Sequence, residues 1–128
     1  MERTEGECFG CPAYKVFINT DGKIIFVGIK NVEKKGVFEG KINNFQLQEL
    51  IKEFENINYL QLSDKYIRGE NCPNTFSDSP YARTFFSTKN DTKSIFHHLG
   101  CEGSEDLEKL KAIEDKIDNV SNTKQWVK

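Results

Sequence analysis

Tyr14-Lys15-Val16-Phe17-Ile18-Asn19-Thr20-Asp21-Gly22-Lys23-Ile24-Ile25-Phe26-Val27-Gly28-Ile29-Lys30 decides the fold. Tyr14, Val16 and Ile18 alternate with Lys15, Phe17 and Asn19. After the turn, Ile24 and Phe26 share one face while Ile25, Val27 and Ile29 take the other. Side chains of a strand point to opposite faces in turn, so this period of two predicts two strands. Asp21-Gly22 between them predicts a tight hairpin, because both residues tolerate the positive φ that such a turn requires.

Downstream, Gly36 opens a third run through Val37 and Phe38 to Ile42, read as the next strand of a meander. Asn43 then predicts a helix N-cap, with Gln46 at the third helical position to close a capping box and Ile42 placed to staple onto Leu47. Leu47, Leu50, Ile51, Phe54 and Ile57 recur at helical spacing and form a stripe for the core. Tyr59-Leu60-Gln61-Leu62 is expected to extend as a short strand before Ser63-Asp64 turns the chain. Residues 66–80 carry Gly69, Asn71, Pro73, Asn74, Ser77, Asp78, Ser79 and Pro80 with little apolar periodicity, which predicts a long loop of the kind that is often functional.

A second hairpin is expected from Arg83 through Phe85 and Phe86 to Lys89, across Asn90-Asp91-Thr92, and back through Ile95 and Phe96 to Leu99. Ser104 caps a second helix, with Glu105 and Asp106 favourable to its dipole and Leu107, Leu110, Ile113, Ile117 and Val120 as its buried stripe. Trp126 in the tail is expected to fold back and pack. Two strand groups, each closed by an amphipathic helix, predict an α+β class: an antiparallel sheet of about five to six strands, a meander plus a second hairpin, with two helices on one face.

At 128 residues, one domain spanning 1–128 is the expectation. Upstream of the first strand, Met1-Glu2-Arg3-Thr4 lead directly into Cys8-Phe9-Gly10-Cys11-Pro12-Ala13-Tyr14, leaving no room for a complete opening strand, and suggest a truncated N-terminus. Eighteen basic residues are interleaved with twenty acidic ones, so the concentrated basic face that nucleic acid demands is missing, and no nucleic-acid partner is expected. No run approaches the roughly 20 apolar residues of a transmembrane helix.

Cys8-x-x-Cys11 has the spacing of thiol redox centres and of half-zinc sites. A redox pair works at a helix N-terminus, where the dipole stabilises the thiolate; this pair precedes a strand. A zinc site would draw on Cys72 and Cys101, which stand singly. His97 and His98 are neighbours on a strand and cannot chelate together; one is expected at the hairpin edge and the other in solvent. An even set of four cysteines fits two disulfides in an oxidising compartment or four buried thiols. Cys72 and Cys101 flank the second hairpin and are the preferred pair, with Cys8 and Cys11 linked or free. Glu105, Asp106, Glu108, Glu114, Asp115 and Asp118 are expected on the solvated face of the second helix. No nucleophile–base set or phosphate loop is readable, so no catalytic residue, metal or cofactor is assigned. Tyr66, Arg68 and Asp78 form a candidate binding site, with Arg3 and Tyr14 joining it if the fold brings the two loops together.

Read across its length, the chain resembles the bacterial family DUF6438, a domain of unknown function. The likeness rests on Glu2-Arg3-Thr4, Cys8 to Val16, Asp21-Gly22, Gly28, Gly36, the Leu50 to Phe54 helix, Leu62-Ser63-Asp64-Lys65-Tyr66, Asp78-Ser79-Pro80, the Leu107 to Asp118 helix and Trp126-Val127. Gly10 and Cys11 are adjacent, where the family usually has one more residue. The resemblance implies no reaction; its members look like secreted or lipid-anchored envelope proteins, sometimes joined to other domains. The expectation is therefore a non-catalytic binding or interaction module, extracytoplasmic, with a protein partner in the cell envelope. The alternatives are a thiol or metal-handling protein acting through Cys8 and Cys11, or a structural part of a larger envelope protein.

Overall fold

The alternation at Tyr14 becomes a meander in the computed structural model, which describes residues 1–128. Strands β1 (Glu2–Thr4), β2 (Ala13–Ile18), β3 (Lys23–Lys30) and β4 (Gly36–Lys41) precede helix α1 (Asn44–Asn56). A one-turn 3-10 helix (Tyr59–Gln61) and strands β5 (Lys65–Tyr66), β6 (Asn74–Thr75), β7 (Tyr81–Ser87), β8 (Thr92–His98) and β9 (Cys101–Glu102) follow, then helices α2 (Glu105–Ser121) and α3 (Lys124–Val127). Seven strands form one sheet in the order β4-β3-β2-β1-β7-β8-β5, antiparallel except for β5 beside β8; β6 and β9 make a separate pair.

The sheet is wider than the sequence suggests because short segments complete it. Glu2–Thr4, expected to have no room for a strand, lies at the centre. Arg3 pairs with Tyr14 on one side and Ala82 on the other, so this strand joins the two hairpins. Three residues suffice because a central strand finds hydrogen-bond partners on both edges.

The first turn is looser than a two-residue Asp-Gly turn. Gly22 N–H donates to the Asn19 carbonyl at 3.0 Å, and the Asn19 side-chain oxygen accepts from the Asp21 and Lys23 amides, each at 3.0 Å. Only Gly22 takes a positive φ, +81°. The Asn19 side chain does the organising that the left-handed residues of a tighter turn would do.

Helix α1 starts as read: the Asn43 side chain accepts from Gln46 N–H at 2.8 Å and the Gln46 side chain accepts from Asn43 N–H at 3.0 Å. After it, the expected strand at 59–62 is a helical turn instead. Asn58 adopts a left-handed φ of 54°, which rotates Tyr59 inward. There its hydroxyl meets Thr84 Oγ1 at 2.7 Å and its ring packs edge-on against Phe54 at 5.0 Å. An extended chain would sacrifice that burial.

Both helices cover one face. Tyr14, Val16, Ile24, Phe26 and Ile95 of the sheet pack against Leu47, Leu50 and Phe54 of α1 and Leu107, Leu110, Ile113 and Ile117 of α2. Trp126 folds back and stacks on Phe26 with centroids 4.9 Å apart. The other face carries no helix. Across it runs a row of cross-strand neighbours, Val37, Val27, Lys15, Glu2, Arg83 and Phe96, one from each of six strands. No helix is long and apolar enough to cross a membrane.

Candidate functional site

Where β1 ends and β7 begins, two loops meet. Residues 5–12 leave β1 and turn at Cys8–Cys11, whose Cα atoms are 5.6 Å apart with the sulfurs at disulfide distance. Gly10 at φ +85° completes the turn, and Phe9 at its apex is fully exposed. Residues 66–80 are held to the end of β8 by Cys72 and Cys101, Cα atoms 5.3 Å apart and again at disulfide distance, and by the β6–β9 pair. Phe76 N–H donates to the Gly100 carbonyl at 2.8 Å, while any Cβ on Gly100 would strike the Phe76 carbonyl oxygen. Glycine alone permits that approach. The long loop is thus anchored at both ends, although its own sequence lacks a period.

Glu7 joins the two loops. Its amide donates to the Ser79 carbonyl at 3.1 Å, and its carboxylate lies 2.9 Å from His98 Nε2. The Gly100 amide donates to His98 Nδ1 at 3.1 Å, so Nδ1 carries no proton and Nε2–H donates to Glu7. A residue expected at a hairpin edge or in solvent is in fact buried and structural.

The five candidate binding residues do not form one cluster. Arg3 and Tyr14 come together on helix α2. Arg3 Nε and Nη2 lie 2.9 and 2.8 Å from Asp118 Oδ2, and the Tyr14 hydroxyl donates to Oδ1 at 2.7 Å. Tyr66 is buried, its hydroxyl accepting from Ser63 N–H at 3.0 Å and reaching Asp106 at 3.4 Å. Arg68 and Asp78 are exposed on the long loop. Asp118, expected on a solvated face, is the acceptor at the centre of this junction.

Burial and the adjacent Asp118 carboxylate raise the Tyr14 hydroxyl well above its ordinary pKa. Burial likewise pushes Tyr59 up to about 12. For Arg3, burial opposes the charge, but Asp118 outweighs it and the pKa rises. A proton held more tightly in the folded state stabilises fully below the unfolded pKa of about 10, and that contribution is lost as pH climbs toward the folded value. Alkaline titration followed by phenolate absorbance should therefore show Tyr14 and Tyr59 ionising late, together with loss of structure. In denaturant that late phase should vanish.

The pair that sequence reasoning missed is His97 and Glu114. His97 Nδ1 lies 2.7 Å from Glu114 Oε2, with the two side chains 3% and 1% exposed. From the sequence, Glu114 is expected on the solvated face and His97, like His98, at a hairpin edge or in solvent. The signal existed: Glu114 lies seven residues after Leu107 and four after Leu110, inside the apolar stripe, and His97 alternates with buried Ile95. Their remaining polar atoms, His97 Nε2 and Glu114 Oε1, have no protein partner.

The Cys8–Cys11 turn leads into β2 and has no helix behind it, so the dipole support that makes a reactive thiolate is not supplied there. The four cysteines sit as two separate pairs. Intact mass should show two crosslinks that open on reduction. Because Cys72 and Cys101 are 29 residues apart and Cys8 and Cys11 only three, most of the stability lost should belong to the former, up to about 3.6 kcal/mol on chain-entropy grounds. A Cys72→Ser variant as stable as the parent would contradict this.

No curated protein and no solved structure matches the chain. The family model described as "Domain of unknown function (DUF6438)" matches residues 1–121, a span that includes both loops, the Arg3–Asp118–Tyr14 junction and the His97–Glu114 pair. The chain belongs to that family.

Proposed function

We propose that this chain is a non-catalytic binding or interaction module that meets its partner with the sheet end built from residues 5–12 and 66–80. One observation carries the reading: Glu7 fastens the two loops to each other and to His98, while Phe9 and Phe76, one on each loop, remain exposed. Exposed aromatics on a braced scaffold are economical recognition groups, since they add contact area without much ordering entropy. Arg68 and Asp78 supply charge on the same loop. Arg3, Tyr14 and Tyr66 act as supports behind it. The two cysteine pairs at disulfide distance favour an oxidising, extracytoplasmic compartment, and the partner is a protein of a bacterial envelope.

A photo-crosslinking side chain at position 9 or 76 should capture one partner from an envelope fraction. The same group at position 45 should not, because Phe45, whose exposure lies between those of Phe9 and Phe76, is at the opposite end, where Ile42 bonds the Gly22 turn. Equal capture from all three positions would overturn the proposal. So would turnover of a thiol, ester or phosphate substrate that is lost on Cys8→Ser.

A further inference from the structure

A cleft of about 560 Å³ opens between the C-terminal end of β8, strand β9 and the first half of α2. His97 and Glu114 are part of its lining, and Arg3, Glu102, Glu108, Lys111 and Asp115 contribute its charge. The volume suits a small molecule. Its chemistry is set by what the buried pair leaves unpaired. An ionised carboxylate only accepts, so the hydrogen shared at 2.7 Å belongs to His97 Nδ1. In the neutral ring that leaves Nε2 as an acceptor, and Glu114 Oε1 is an acceptor as well. Both are buried and without a protein donor.

Leaving such atoms unmatched destabilises the fold, and two apolar side chains of similar volume would avoid the cost altogether. Besides Glu114 itself, three carboxylates, Glu102, Glu108 and Asp115, line the cleft against two cations, and one of those cations, Arg3, is already held by Asp118. Unpaired acceptors in a negatively charged recess call for a positively charged hydrogen-bond donor. We propose that this cleft is a binding site for a small molecule carrying a protonated primary amine, whose N–H groups pair with Glu114 Oε1 and His97 Nε2. Both atoms are closed to solvent in the free protein, so entry requires side chains of the cleft wall to change rotamer.

The test uses two probes of similar shape and opposite charge, n-butylammonium and n-butyrate, titrated into the isotope-labelled full chain and followed by amide and imidazole nitrogen resonances. Butylammonium should shift amides of residues 97–103 and 107–115 saturably and move His97 Nε2, while butyrate leaves them in place. Glu114→Gln should weaken the apparent affinity at least tenfold. Should that variant fold poorly, the exposed double variant Glu102→Gln/Glu108→Gln provides the same reading at the rim, with affinity lowered several-fold and its salt dependence flattened. Butyrate binding as well as butylammonium would overturn the cationic assignment. Absence of saturable shifts from butylammonium, or affinity unchanged in both variants, would overturn the site.

Discussion

Replacing Glu114 with alanine should lower the stability of the fold by about 3–5 kcal/mol, because it leaves His97 buried without the acceptor that orients it and opens a void in the core. Glu114 is 1% exposed and sits on the same helical line as Leu107 and Ser121, so the chain cannot relax by turning the position to solvent without moving α2 off the sheet. In a domain of this size the loss corresponds to roughly 10–20 °C in melting temperature. Glu114→Gln retains the volume and an acceptor for Nδ1–H and should lose less than half as much. The informative variant is the double replacement His97→Leu/Glu114→Leu. Buried polar pairs exchanged for apolar groups of similar volume are often neutral or stabilising, so this protein should unfold in urea within about 1 kcal/mol of the parent. That combination, a costly single change and a nearly free double one, would mean that the pair is not retained for stability. An alanine variant within about 1 kcal/mol of the parent would show instead that water reaches the site.

The same pair marks the limit of what periodicity discloses. A period of two at Tyr14 to Lys30 and a period of 3.6 in both helices locate the strands, the caps and the apolar stripes, because those patterns follow from backbone geometry alone. The α+β class and the placement of both helices on one face follow from them. Short segments escape: Glu2–Thr4, Lys65–Tyr66 and Asn74–Thr75 have too few residues to display any period, and they are strands only because partners lie alongside. Tyr59 escapes for a related reason, since its helical turn is selected by the Thr84 hydroxyl 25 residues away. Charged side chains are the most misleading. Glu114 and Asp118 look like the polar side of α2, yet each faces a partner on the sheet, His97 of β8 for one and, from the other end of the chain, Arg3 with Tyr14 for the other. A polar residue within an apolar stripe is the visible trace of such a contact, and the identity of its partner is a tertiary fact.

Asp118→Ala should be the second severe change, about 3–5 kcal/mol, because four donors converge on one carboxylate. Besides the two Arg3 nitrogens and the Tyr14 hydroxyl, Thr123 Oγ1 donates to Asp118 Oδ1 at 2.8 Å. Arg3 would retain only Asp115, at 3.6 Å and more than half exposed, too distant and too wet to replace a partly buried charge-assisted contact. Arg3 lies on the three-residue strand that joins the two hairpins, so the damage should not stay local. Thr123 begins the turn into α3, and Trp126 on that turn stacks on Phe26 and accepts at its carbonyl from Lys34 N–H at 2.9 Å. Trp126 is the one tryptophan in the chain, so its fluorescence reports on this junction without ambiguity. Asp118→Ala should shift that emission to the red and speed amide exchange at Lys34 even in conditions where the sheet remains folded. A Tyr14→Phe change alone should cost about 1.5–3 kcal/mol, the range for a hydrogen bond to a charged acceptor. In the Asp118→Ala background it should cost at least 1 kcal/mol less than alone, the signature of two residues in direct contact. Additive losses would mean that the Tyr14–Asp118 hydrogen bond contributes nothing to stability.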